Sequence, residues 1–255
     1  MKYFYKFINF CILFCIIGFM TSCFLLRTMP PKEEMVLELL KEPIQTTTNT
    51  QVFTFDYRNT NYKVIPLAEY ELWGLVVSHN DINKWYNIYH NKNSVNIKDL
   101  CIVWGGNIKT GIYKEANYKS GEWTCYSSYG ARAASIFNNY QLSNNHLLSD
   151  SEEIREKIRN THIGDQIHLK GLLVKYGESN LSEKYYRSSS MTRIDQGNYS
   201  CETIFVKDFQ VLKKGLIWQY KLKKWSIKIL LGLILLKILL FFIGHRKYLF
   251  SKQTI

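Results

Sequence analysis

The sequence predicts an α+β protein: a mostly antiparallel β domain, either a sheet or a small barrel, with about two helices and a transmembrane helix at each end. Three observations carry this reading. Apolar runs lie at both ends of the 255 residues. Between them, several short stretches alternate apolar and polar residues and are bounded by turn residues, as half-buried strands are. Two further stretches show helical spacing or a helix cap.

The first run, residues 7–26 (FINFCILFCIIGFMTSCFLL), holds no charge and follows Lys2 and Lys6. Twenty such residues span about 30 Å as a helix, the thickness of a hydrocarbon core. Met20-Thr21-Ser22-Cys23 resembles a lipoprotein cleavage box, which makes Cys23 a candidate lipidation site. Phe24-Leu25-Leu26 prolong the apolar run, so an uncleaved anchor over residues 1–27 is the preferred reading. The second run, residues 225–244 (WSIKILLGLILLKILLFFIG), contains Lys228 and Lys237. Its Leu, Ile and Phe residues, at about 0.3–0.6 kcal/mol each, offset the roughly 2.5–3.5 kcal/mol that each central lysine costs. An in-plane helix would gather its lysines on one face, whereas these two fall about 180° apart at helical spacing. A second span is predicted.

Charge separates along the chain. All 21 acidic residues and 22 of the 33 Lys and Arg fall in residues 31–216, which are therefore nearly neutral. The basic excess sits in the flanks, including a juxtamembrane segment at 217–224 and a tail at 245–255. That pattern fits a membrane interface and removes the main support for nucleic-acid binding. Lys2 and Lys6 put the start of the first helix in the cytoplasm and the domain outside it. The five lysines at 213, 214, 221, 223 and 224, set against Arg246, Lys247 and Lys252, argue the reverse for the second helix taken alone. The first helix usually dominates, so the outer side of a bacterial cytoplasmic membrane is the expected location.

Residues 28–50 read as a stalk opened by Pro30-Pro31, and the domain as residues 51–216. Strands are expected at 51–58 (QVFTFDYR), Tyr70–Ser78, 99–105, Glu122–Tyr126, Asp165–Tyr176, Tyr185–Arg193 and Cys201–Leu212. A helix is expected over Asn80–His90, where Ile82, Trp85, Tyr86 and Tyr89 recur at helical spacing. A second, Ser149–Asn160, has Ser149 as cap with Glu152 three residues on, and Glu153 four residues before Lys157. Gly105-Gly106 reads as a hairpin turn.

The phrases KDLCIVWG (98–105), SGEWTC (120–125), LSNNHLL (142–148), GDQIHLKGLLVKY (164–176) and RSSSMTRIDQGNYSCETIFV (187–206) resemble an uncharacterised family of bacterial membrane-anchored proteins. The resemblance covers roughly residues 65–212. It implies an N-terminal anchor and one compact domain facing away from the cytoplasm, and it lends no catalytic residue. The second span departs from the single anchor it implies.

Candidate chemistry is sparse. His79 and His90 bracket the first helix, and His146 and His162 the second. With no HxxxH, HxH or CxxC spacing, neither a metal site nor any cofactor is expected. A hydrolase could be assembled from Ser189, His146 and Asp195, with His146 in a polar loop, but no strained nucleophile turn accompanies them. Glu69, Glu71, Asp165, Asp195 and Glu202 show no spacing that pairs two carboxylates. Trp73, Trp85, Trp104 and Trp123 read chiefly as core, and Tyr185, Tyr186 and Arg187 as an exposed binding patch. The strand at 164–176 and its neighbours are similar to barrels that bind oligosaccharides or single-stranded nucleic acids.

Cys11 and Cys15 fall with Cys23 in the first span. Of the domain's cysteines, Cys101 and Cys125 are the preferred disulfide pair; three reduced thiols, with Cys201, are the alternative. The function expected is a non-catalytic binding or assembly module of the envelope, partnered by the lipid bilayer and an envelope protein or polymer. The alternative is an envelope hydrolase using the His146, Ser189 and Asp195 region.

Overall fold

The computed structural model describes residues 2–82, 94–121, 124–192 and 201–252. In chain order these form α1 (Lys2–Leu25), β1 (Ile44–Thr46), β2 (Phe53–Tyr57), β3 (Thr60–Asp81), β4 (Lys98–Val103), α2 (Gly105–Thr110), β5 (Ala116–Ser120), β6 (Cys125–Tyr129), α3 (Ala131–Ala134), β7 (Leu142–Leu148), α4 (Glu152–Arg159), β8 (Gln166–Glu178), β9 (Arg187–Ser188), β10 (Cys201–Lys213) and α5 (Ile217–Lys252). Two compact units result, one from the chain ends up to Thr28 and from Leu216, the other from Met29–Gly215. The α+β class, the mostly antiparallel sheet and the two apolar terminal helices are those the sequence predicts.

A closed five-stranded barrel organises the second unit. β3 pairs antiparallel with β4, and β4 with β7. β10 lies parallel to β7 and antiparallel to β8, and β8 returns antiparallel to β3. The ring is therefore β3–β4–β7–β10–β8–β3, with α4 between its third and fourth strands in chain order. Full closure of this kind leaves the ring itself without a free edge.

One strand, β3, serves two neighbours because it is 22 residues long and bends. Its register shifts between Pro66 and Ala68 against β8, and between Val76 and Ser78 against β4. Such bulges raise the local twist and let a strand wrap. Leu72, Leu100, Leu147, Ile167, Ile204 and Phe209 fill the barrel, and Ile158 of α4 joins this core.

Ser151, not Ser149, caps α4: its side chain accepts from Ile154 N at 3.4 Å. Ser149 Oγ instead donates to Val206 O at 2.9 Å, fastening the approach to the helix onto β10. The Glu153–Lys157 pair spans 2.7 Å.

The segment read as a stalk is part of the domain. Gln166 holds it at both ends of its amide, accepting from Val36 N at 2.8 Å and donating to Glu34 O at 2.9 Å. Tyr113 OH donates to Pro30 O at 2.7 Å, and Trp104 Nε1 to Glu42 Oε2 at 2.9 Å. Leu39 is buried with Trp73, Leu75 and Val103. A stalk would leave this apolar surface in water, whereas docking removes it.

The far end of the domain lies close by. Lys213 Nζ donates to the same Glu34 O at 2.9 Å. Buried Asp165 accepts from Gly215 N at 3.0 Å and from Lys214 Nζ at 2.8 Å. The chain thus enters and leaves the barrel at one pole.

Other expectations change. Asn80 and Asp81 end β3 rather than begin a helix, and residues 83–93, with Trp85, Tyr86, Tyr89 and His90, lie outside the described residues. Gly105 (φ +62°) opens α2 rather than a hairpin; its left-handed backbone and the adjacent Gln141 amide suit glycine. Of Tyr185–Arg193, only Arg187 and Ser188 pair as strand, and Arg193 lies outside the described residues. The strand expected at Glu122–Tyr126 is β6, which starts at Cys125; Glu122 and Trp123 lie outside the described residues.

In the first unit, α1 and α5 each contain a segment long and apolar enough to cross a membrane, Tyr3–Leu25 and Ile217–Ile243. Ile8, Cys15 and Ser22, seven residues apart, are buried, as are Gln219 and Ser226 of α5. A Cβ on Gly18 would meet Ser226 Oγ at 2.9 Å. Small residues at such a seam let helix backbones approach closely. The basic segment 217–224 is helical and continuous with the span.

Candidate functional site

Three adjacent strands lay polar residues in two rows on one outer face of the barrel. Asp99 of β4, His146 of β7 and Thr203 of β10 stand opposite one another, and Cys101, Asn144 and Cys201 form the next row. Apolar residues of the same strands, Leu100, Leu147 and Ile204, turn into the core. The alternation of strand side chains thus sets a mainly apolar inside, which also holds Ser143 and Asn145, against this polar outside. His146, expected in a loop, is fully buried in a central strand.

The arrangement fixes the histidine tautomer. Arg187 of β9 places Nη2 against His146 Nε2. A guanidinium can only donate, so Nε2 accepts and the ring proton sits on Nδ1. Nδ1 lies 2.6 Å from Asp99 Oδ1. Asn144 Nδ2 is 3.2 Å from Nε2 and 3.6 Å from Cys201 Sγ. Tyr176 OH donates to Asn96 Oδ1 at 2.8 Å beside the cluster. Asp99 Oδ2 and Thr203 Oγ1, both buried, have no hydrogen-bond partner among the described residues. Asp99, Asn144, His146, Arg187 and Cys201 all belong to phrases quoted above, so those phrases meet in space.

The cluster contains an oriented imidazole but, among the described residues, no poised nucleophile. Ser189 Oγ donates to Ser190 O at 2.8 Å and accepts from Thr203 N at 3.1 Å, so both of these bonds go to backbone atoms and neither to His146. Asp195 lies outside the described residues; Asp99 holds the position beside His146 that a triad would give its acid. Burial pushes the Cys201 thiol up, opposite to the shift that activates a cysteine.

The three residues read as a binding patch alternate in exposure. Tyr185 is 69% exposed, with Lys184 Nζ 4.8 Å from its ring centre. Tyr186 is buried, its ring so close to Gly177 that a Cβ there would lie 2.2 Å from Cδ1. Arg187 turns to His146. Only Tyr185 of the three therefore offers an open ring.

A second histidine, His168, donates from Nε2 to Glu71 Oε1 at 2.7 Å and stacks on Trp73 with ring centres 4.7 Å apart. Lys41 lies 4.7 Å from the Trp73 ring centre. Burial alone would raise the Glu71 carboxyl, but Lys170 and His168 hydrogen bonds outweigh it and hold the group below its ordinary range. Among the described residues, no three His, Cys, Asp or Glu side chains gather as a metal's ligands would.

Cys101 and Cys125 form a disulfide, with Cα atoms 5.8 Å apart, that staples the β5–β6 hairpin to β4. Cys11, Cys15, Cys23 and Cys201 take no part in this disulfide; Cys23 is partly exposed near the end of α1. The hairpin belongs to an insertion between β4 and β7 with its own small core of Ile112, Ala116, Ala133 and Phe137. It exposes Tyr126, Ile136 and Tyr140. Linear sequence does not single these out, because their exposure follows from the insertion's internal packing. No family model, curated protein or solved structure matches the chain.

Proposed function

We propose that the chain is a non-catalytic binding or assembly module of the bacterial envelope. Both ends anchor it in the cytoplasmic membrane, and the barrel stands on the outer side. Its partner is an envelope protein or polymer, and the insertion at residues 105–141 is the contact surface. The observation that carries this reading is the exposure of Tyr126, Ile136 and Tyr140 on a disulfide-stapled element. Amphipathic aromatic rings on a rigid support lose little entropy on binding, which suits recognition.

Two further observations support it. The chain enters and leaves the barrel at one pole, as two antiparallel spans require. The disulfide is of the kind retained on the oxidising side of a membrane. The hydrolase alternative is not favoured, because Ser189 is engaged elsewhere and Arg187 occupies the His146 nitrogen a nucleophile would need.

Alkaline phosphatase and a fluorescent protein fused separately after Leu216 test the side. Active phosphatase with a dark fluorescent fusion is expected, and the reverse would overturn the envelope location. A photo-crosslinking amino acid at Tyr126, Ile136 or Tyr140 should trap one envelope component that the same probe at Leu181 does not. Equal trapping at all four positions would sink the proposed surface.

A further inference from the structure

We propose that the 3-10 turn Leu37–Leu40 is a membrane-contact surface, and that Leu37 and Leu40 insert into the interfacial layer of the bilayer crossed by the two apolar helices. The turn has the sequence Leu-Glu-Leu-Leu. Side chains three apart in a 3-10 helix eclipse one another, so Leu37 and Leu40 share a side. Leu39 points the other way and is fully buried, which ties the turn to the barrel. Leu37 is 79% exposed and Leu40 is 40% exposed. The domain's own packing thus explains Leu39 and leaves the other two unexplained.

Position supplies the occupant. α1 ends at Leu25 and the barrel unit begins at Met29. Four residues of extended chain reach no more than about 14 Å, so the pole holding Met29 stays near the lipid surface. The turn belongs to that pole. Val36, next to Leu37, donates its backbone N–H to Gln166, whose register partner is Lys213 at the end of β10. Leu212, also exposed, lies beside it. Apolar side chains held against a bilayer by a short tether are buried in its interfacial layer without any specific headgroup. Contact of this kind depends little on salt, unlike attraction between basic residues and anionic lipid.

The inference rests on the membrane reading of the two helices and not on which side the domain occupies. The test uses the full chain in phosphatidylcholine vesicles, with dansylalanine in place of Leu37, Leu181 or Leu235 in separate proteins. Half of each preparation includes lipid with a nitroxide near the top of the acyl chain. Leu235 is an exposed position on α5. Leu181 follows the far end of β8, about 40 Å along that strand from Gln166. The probe at Leu37 is expected to lose about half its emission to the nitroxide, with quenching at Leu235 and none at Leu181.

Quenching at Leu235 with Leu37 as bright as Leu181 would overturn the contact and leave the spans standing. No quenching at Leu235 would overturn the spans and the contact together. Equal quenching at all three positions would also overturn it, because the leucine turn would then be no closer to lipid than the opposite pole.

Discussion

His146 and Asp99 face each other across β7 and β4, with Nδ1 2.6 Å from Oδ1 and both side chains 1% exposed. Removing one partner leaves the other buried without its bond. Asp99→Ala and His146→Ala should each destabilise the barrel by about 3 kcal/mol. The double variant should cost less than the two separately, with about 1–3 kcal/mol of coupling. Urea unfolding of the full chain in detergent micelles measures this, and strict additivity would show that the pair acts as two independent groups.

The staple between Cys101 and Cys125 closes a stretch of chain with a sequence separation of 24. Cross-linking a loop of that length limits the unfolded chain and stabilises by about 3 kcal/mol. Cys125→Ala should lower the thermal midpoint, and dithiothreitol should lower the parent's midpoint towards the variant's. The variant itself should not respond to the reductant. A parent equally indifferent would mean the two thiols are unbonded in solution.

Tyr176 titrates against the fold. Burial is the main cause that pushes its phenol up to about 12, and Asp99 and Tyr62 act in the same direction. Arg187 and the Asn96 hydrogen bond oppose them. The folded state therefore holds the proton more tightly than the unfolded chain, whose phenols ionise near 10. This contribution is fully present below pH 10 and is lost as pH rises towards 12, where the unfolded state releases the proton first. Tyr176→Phe should flatten the fall in stability across that window. Absorbance at 295 nm, followed with pH in parent and variant, would locate the transition; a phenol titrating near 10 in the folded protein would exclude the effect.

Sequence periodicity reveals elements that present one clean face to water. QVFTFDYR alternates and becomes β2, and the twenty-residue runs become the terminal helices. LSNNHLL hides its strand because both faces are buried. Ser143 and Asn145 hydrogen-bond together on one side, while Asn144 and His146 are engaged on the other. Polar residues satisfied inside a fold look like a loop on paper. Asp99 was illegible for a different reason: 47 residues separate it from His146, and only the β4–β7 register brings them together. The 28–50 segment reads as a stalk in sequence because its anchors, Gln166, Tyr113 and Trp104, all lie far along the chain.

Two glycines should respond oppositely to one added methyl group. At Gly171 in β8, a Cβ would lie 2.2 Å from Phe205 O and 3.0 Å from Val206 Cα. Both contacts are backbone of β10, which is itself paired on its other edge with β7. The strand cannot step back without opening the ring, so no side-chain adjustment relieves the clash. Gly171→Ala should therefore cost about 3 kcal/mol or more, at or above the usual range for overpacking. Gly130 has nothing within 4 Å of its Cβ position, and its φ of −73° suits any residue. Gly130→Ala should stabilise by about 0.4–1 kcal/mol through the unfolded chain alone. Urea midpoints for the two variants, measured side by side, check both signs. A neutral Gly171→Ala would mean that β8 and β10 are farther apart than the closed barrel requires.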